Sequence, residues 1–326
     1  MHRRMFLGSG IALIGGAAAA QAAPTSAVGD PAAPFFPPKE RFPLWPGTPP
    51  GAPAKPVAPN WTMNNSAPNR ELWIRGVPSP EVHVYRPPRS DGSALLVFPG
   101  GGYEFLSIQN EGLDPAERFT AERTTVFVLT YRLPVEGWEN RSIVPLQDAQ
   151  RAMRLIRSRA AKFRIDAARL GVLGFSAGGH LAADLAVAHA EPVYRAIDEA
   201  DGLSARPAFA GLIYPVISLD TKISKGNSSP NLLGPRPAPD EIIARSPARH
   251  VSGVAPPSFI AAAFDDDLVH IDNSLIWIDA CRRAAVPVEA HLFAEGGHGF
   301  GLHVPRNSSG SMWPDLFARW MRMHGG

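Results

Sequence analysis

The chain has 326 residues, 45% of them hydrophobic, enough to bury the core of one large domain or two small ones. Its formal charge of +2 is spread without a basic stripe, and no apolar run beyond the N-terminus is long enough to cross a membrane, which argues against nucleic acid and against a membrane span. Cys281 is the single cysteine, so an internal disulfide and a cysteine-based metal cluster are both excluded.

Residues 1–22 read as an export signal: Arg3 and Arg4 open it, an apolar run follows, and the small-residue sequence Ala20-Gln-Ala22 closes it. The adjacent arginines and the glycine-broken apolar run resemble a twin-arginine address, with the general secretory route as the alternative. Either route places the mature chain in the periplasm or outside the cell. Twelve of the 34 prolines then fall within 23–60, which predicts an extended leader without regular helix. Its front part reads as a flexible tether, and Trp45 and Trp61 are the rings that would pin its later part to the domain.

From residue 61 onward a single catalytic domain is expected. Strands are predicted at 72–74, 82–85, 94–98, 125–130, 170–173, 208–213, 258–263 and 288–292, with helices at 114–122, 145–162, 177–190, 272–285 and 312–323. Two early strands followed by strand and helix in turn predict an α/β architecture: a mostly parallel, doubly wound sheet of about eight strands with an antiparallel start and helices on both faces. In such sheets chemistry gathers in the loops beyond the carboxyl ends of the strands. The longest irregular piece, 218–253, reads as a small lid-like insertion beside such a site, the alternative being a surface excursion with no binding role.

Four of those loops carry candidate chemistry. After strand 94–98 comes Pro99-Gly-Gly-Gly-Tyr103, whose glycines allow backbone N–H groups to turn toward an anion; it lacks the Lys-Ser/Thr ending of a phosphate loop. After strand 170–173, Gly174, Ser176 and Gly178 form the G-x-S-x-G pattern that puts a serine on a tight strand-to-helix turn. Asp265, Asp266 and Asp267 follow strand 258–263, and His298 sits in the glycine-rich run 295–301 after the last strand. A serine hydroxyl needs a base within hydrogen-bond reach and a carboxylate to orient that base. Ser176, His298 and Asp266 are the candidates, with Asp265 the runner-up. The N–H groups of Gly101, Gly102 and Ala177 are the candidate oxyanion hole. His180, inside the helix behind the serine, reads as a packing or locally bonded histidine. Tyr103 and Trp138 are candidate rings for a sugar to stack on, the alternative being packed aromatics.

The chain resembles the bifunctional feruloyl and acetyl xylan esterase-like group of carbohydrate esterases within the α/β-hydrolase fold. The resemblance is carried by PLWPG at 43–47, VFPGGGY at 97–103, Glu111-Gly112, YRLP at 131–134, Asp148 with Arg151-Ala152, GVLGFSAGGHL at 171–181, Tyr214-Pro215, NLLG at 231–234, Asp265-Asp266 and GGHGFG at 296–301. The order serine, aspartate, histidine is that of this fold. One departure is Asp267-Leu-Val-His270, where such proteins usually have proline after the valine. The resemblance implies Ser176 as nucleophile, Asp266 as orienter and His298 as base, in a serine esterase that removes acyl groups, most readily acetyl, from hemicellulose-type polysaccharide or oligosaccharide without metal or cofactor. Rival expectations are a general short-chain carboxylesterase or lipase, a peptidase of the same fold, and an inactive binding protein.

Overall fold

The computed structural model describes residues 25–64 and 70–324, so the expected export signal at 1–22 lies outside the described residues. In chain order the strands are β1 (Thr25–Ser26), β2 (Arg41–Pro43), β3 (Asn60–Asn64), β4 (Glu71–Arg75), β5 (Glu81–Tyr85), β6 (Ala94–Phe98), β7 (Leu106–Ser107), β8 (Thr125–Thr130), β9 (Leu170–Phe175), β10 (Ala210–Ile213), β11 (Ser258–Ala263) and β12 (Val288–Phe293). Eight of them form the central sheet in the order β12-β11-β10-β9-β6-β8-β5-β2. The pairs from β12 to β8 are parallel, whereas β8–β5 and β5–β2 are antiparallel. β6, β8 and β9 are buried along their whole length, as their unbroken apolar runs require of strands covered on both faces.

The helices are α1 (Asp114–Ala121), α2 (Val144–Ser158), α3 (Ala160–Phe163), α4 (Ser176–Ala188), α5 (Ser228–Leu233), α6 (Pro239–Ala244), α7 (Asp272–Arg283) and α8 (Trp313–His324). α4 packs on β9 and β10 with α2 beside it, while α1 and α8 share the opposite face, where Phe119 meets Phe317 at 5.5 Å. The predicted helix at 145–162 is two helices, broken at Arg159 (φ −111°, ψ 16°). No helix among the described residues is long and apolar enough to cross a membrane.

The antiparallel start differs from expectation. Residues 72–74 were expected to begin the central sheet; instead β4 belongs to a second sheet of order β1-β3-β4-β7, and the leader strand β2 takes the edge beside β5. β4 alternates between buried and half-buried positions, the pattern of a strand with only one covered face. The leader is also no loose tether over its described part. β1 pairs with β3, Asp30 forms an ion pair with Arg70, and the Phe36 ring lies 5.5 Å from Trp61 and 4.6 Å from His83.

Trp45, buried, fastens the leader to the core. Its indole N–H donates to Asp148 Oδ1 at 2.9 Å, and its ring lies under the Arg132 guanidinium at 5.3 Å. Arg132 and Asp148 are both fully buried, and Asp148 also accepts from the Arg132 backbone N–H and side chain. Arg132 in turn donates to Pro50 O and Arg151 to Leu44 O, which fastens two further points of the leader. Removing Asp148 would leave a buried guanidinium without its counter-charge, so Asp148→Ala is expected to destabilise the fold by about 3–5 kcal/mol, read as a lowered midpoint in guanidinium unfolding.

Candidate active site

β6 and β9 are neighbours, but the chain leaves β6 toward β8 on one side and returns to β9 on the other. The crevice at their carboxyl ends is therefore the topological switch point of the sheet, where open α/β sheets bind ligands. Ser176 stands there as the first residue of α4 with a left-handed backbone, φ 52°. Such a conformation is costly for a residue with a side chain. It is held by close approach on both sides: a Cβ on Gly174 would lie 2.1 Å from Gly178 O, and one on Gly178 would lie 2.1 Å from Phe98 O. Only glycine lets β9, the turn and α4 come together against β6.

The loops after β11 and β12 bring their side chains to the same place. His298 Nε2 lies 2.8 Å from Ser176 Oγ, and His298 Nδ1 lies 2.7 Å from Asp266 Oδ2. A carboxylate can only accept, so the imidazole proton belongs on Nδ1, and Nε2 is left to accept from the serine hydroxyl. Asp266 is buried, and its other oxygen accepts from the N–H groups of Leu268 at 2.9 Å and Val269 at 2.8 Å. Asp265 is exposed and accepts instead from Gly297 N–H at 2.8 Å, while Asp267 is exposed. Of the three neighbouring aspartates, Asp266 is the one that meets His298.

Residues 99–105 run from the end of β6 to β7 and so are anchored in both sheets. Gly101 has φ 122°, open to glycine alone, and neither its N–H nor that of Gly102 finds an acceptor among the described residues. Ala177 lies in the first turn of α4, where an N–H has no intrahelical acceptor. Gly101, Gly102, Ser176 and His298 line one cavity of about 450 Å³, walled on its far side by Lys225, Asn227 and Ser228 of the insertion and by Leu268 and Val269. The first half of the predicted lid-like insertion is thus a wall of the cavity, held to the loop 99–105 by Asn231, whose side-chain N–H donates to Gly102 O at 2.8 Å.

Two sequence-predicted contacts lie elsewhere. Tyr103 is 1% exposed, and its hydroxyl donates to His180 Nδ1 at 2.7 Å. Trp138 is 5% exposed, its ring under Arg132 at 4.9 Å. Neither ring reaches the cavity, so both are packed aromatics and not surfaces for a sugar. His180 donates from Nε2 to Arg245 O at 2.7 Å, and burial pulls its pKa down to about 4, so it stays a neutral strut between the loop 99–105 and the insertion.

The sequence reading passed over one group beside the serine. Residues Gln109–Leu113 form a wide π-helical turn ahead of α1, a rare geometry that tends to occur at functional sites. It places Asn110 and Glu111 on the cavity wall, close to Glu71 of β4. Burial, reinforced by the Glu71 charge and opposed by hydrogen bonds from Tyr214 and Gly100, pushes the Glu111 carboxyl up to about 7. Burial raises Glu71 as well. The only sequence signal was that Glu111 fell in a stretch shared with the resembled family.

A family model described as BD-FAE matches residues 82–279. The chain is 35% identical over 219 residues to an endo-1,4-β-xylanase B of Butyrivibrio fibrisolvens, covering 67% of this chain and 34% of that protein. It is 31% identical over 226 residues to an acetylxylan esterase of Xylanibacter ruminicola, covering 68% of this chain and 44% of that protein. The chain therefore spans less than half the length of these two curated relatives. Among solved structures it is similar to an acetyl ester-xyloside bifunctional hydrolase from Caldicellulosiruptor lactoaceticus, with a TM-score of 0.73 and 31% identity over 88% of this chain and 96% of that one.

Proposed function

The chain belongs to the BD-FAE family of α/β hydrolases, and from that premise we propose that it is an exported serine esterase that removes acyl groups, most readily acetyl, from xylan or a related hemicellulose. The observation that carries this reading is the hydrogen-bonded series Ser176–His298–Asp266, at 2.8 and 2.7 Å, opening on a cavity beside two free glycine N–H groups. Ser176 Oγ attacks the ester carbonyl while its proton moves to His298 Nε2, and Asp266 holds the imidazolium through Nδ1–H. The oxyanion of the tetrahedral intermediate takes the N–H groups of Gly101, Gly102 and Ala177. As the C–O bond to the sugar breaks, His298 protonates the departing oxygen to give the sugar hydroxyl. Water, giving its proton to Nε2, cleaves the acyl-enzyme to the free acid and regenerates the serine.

The lining of the cavity favours a small acyl group on a polar alcohol. Ser107, Asn110, Asn227, Ser228 and acidic side chains make up much of it, and Phe105, Leu268 and Val269 are its only large apolar members among the described residues. A long acyl chain would need a continuous apolar trough. The names borne by the relatives in Xylanibacter ruminicola and Caldicellulosiruptor lactoaceticus point the same way.

On acetylated xylan, p-nitrophenyl acetate, methyl ferulate and a long-chain p-nitrophenyl ester, the purified mature chain is expected to release acetate fastest. Equal turnover of long and short acyl chains would instead indicate a general carboxylesterase. Ser176→Ala is expected to lower kcat by roughly four orders of magnitude or more while the protein stays folded. Asp266→Asn should cost about 10⁴-fold in kcat, as loss of the orienting carboxylate does in such triads, and Asp265→Asn should leave kcat near that of the parent; the reverse ranking would move the role to Asp265. Export is tested by cell fractionation: replacing Arg3 and Arg4 with lysine is expected to retain the chain in the cytoplasm, and unchanged export would point to the general secretory route.

A further inference from the structure

Glu111 is 3% exposed, and the steps above do not use it. Its two oxygens accept from two different loops: Oε2 from Gly100 N–H at 2.7 Å, at the root of the oxyanion loop, and Oε1 from the Tyr214 hydroxyl at 2.8 Å. That hydroxyl accepts in turn from Gly301 N–H at 3.0 Å, at the end of the histidine loop, and the Tyr214 ring stands edge-on to His298 with centroids 5.1 Å apart. Tyr214 itself has φ 36°, a strained backbone that its surroundings must hold. From the same π-helical turn, Asn110 donates to Gly299 O at 3.1 Å. A turn formed by five consecutive residues thus grips the loops on both sides of Ser176.

We infer that Glu111 is a positioning residue: as a carboxylate it fixes the oxyanion loop through Gly100 and the histidine loop through Tyr214, and taking up a proton releases one of the two. This role rests on the Ser176–His298–Asp266 reading proposed above. A carboxylate accepts at both oxygens, whereas a carboxylic acid turns one of them into a donor. That donor would face either Gly100 N–H, another donor, or a tyrosine hydroxyl whose oxygen already accepts from Gly301. The titratable groups around Glu111 are Glu71 from β4, Tyr131 after β8, Tyr214 after β10 and His298 after β12. Burial and Glu71 raise the Glu111 carboxyl into the neutral range, and His298 lowers it when protonated. On acidification, activity is then lost through two protons, one on His298 Nε2 and one on Glu111.

The test compares the full mature chain with Glu111→Gln, Tyr214→Phe and Ser176→Ala on p-nitrophenyl acetate across pH, with thermal midpoints alongside. Glu111→Gln and Tyr214→Phe are expected to lower kcat about ten- to a hundredfold, the scale of a misplaced catalytic geometry, with KM and thermal midpoint near the parent's. The acid limb of log kcat should be steeper than one proton in the parent and should fall to a one-proton slope in Glu111→Gln. A folded Glu111→Gln with the parent's kcat, or with lowered kcat and an unchanged acid limb, overturns the inference. Should that variant not fold, Tyr214→Phe, which removes only a hydroxyl, decides: the parent's kcat there overturns it equally. Activity surviving in Ser176→Ala would instead overturn the triad reading, so the two failures are separable.

Discussion

Everything at the site depends on how closely one turn can approach its own sheet. Ser176 leaves β9 and enters α4 in a left-handed conformation, and it can do so because Gly174 and Gly178 allow backbone to lie against backbone where any Cβ would collide with a carbonyl oxygen at 2.1 Å. The strain is local, but the support is not. β6 and β10 flank β9, and a backbone bond from Val216 N–H to Ser176 O at 3.1 Å ties the turn to the strand end on the far side. Strain of this kind persists only where the surroundings over-determine the backbone, and here they do so from two neighbouring strands.

The remaining functional groups arrive on separate loops, so their relative placement is a problem of long-range packing. The histidine loop carries no regular structure. It is held by its own backbone, with Gly301 N–H on Tyr214 and Gly301 O on the Trp313 indole at 2.8 Å. The proposed oxyanion loop hangs between two sheets, with β6 fixing one end and β7 the other through its pairing with β4. The second sheet is built largely from the leader and the residues after it. The leader therefore bears on the site through β1, β3, β4 and β7, although none of its described residues lines the cavity.

What could be read from the sequence follows this division. Ser176, Asp266 and His298 were legible because each sits in a short, locally determined setting: a glycine-flanked serine, a carboxylate just past an apolar strand, a histidine among glycines. The six strands of the parallel part of the sheet were legible because unbroken apolar runs such as 94–98 and 125–130 have few other uses. Residues 72–74 were assigned to the wrong sheet because a five-residue strand does not say which partner it pairs with; that is settled by β2, some thirty residues earlier in the chain. Tyr103 and Trp138 were misread for a related reason. An aromatic ring in a loop near a site has the same sequence signature whether it faces ligand or core, and here His180 and Arg132 claim the two rings. Glu111 left almost no local sign, since an acidic residue shortly before a helix reads as a favourable charge at its N-terminus.

A buried carboxylate beside the proposed oxyanion loop looks at first unfavourable, because the tetrahedral intermediate of the proposed reaction is itself an anion. Two features of its placement reduce the conflict. Glu111 takes the N–H of Gly100, leaving those of Gly101 and Gly102 uncommitted at the cavity, so it does not compete for the donors the intermediate needs. The negative charge also faces His298, which in the proposed mechanism carries a positive charge in the same step, so repulsion toward the oxyanion would be set against attraction toward the imidazolium. The carboxyl is raised by burial yet kept accepting by a backbone amide and a phenol, a balance that loss of either donor would tip toward the neutral acid. Under the proposed role, the same carboxyl links the positions of both loops to its own protonation.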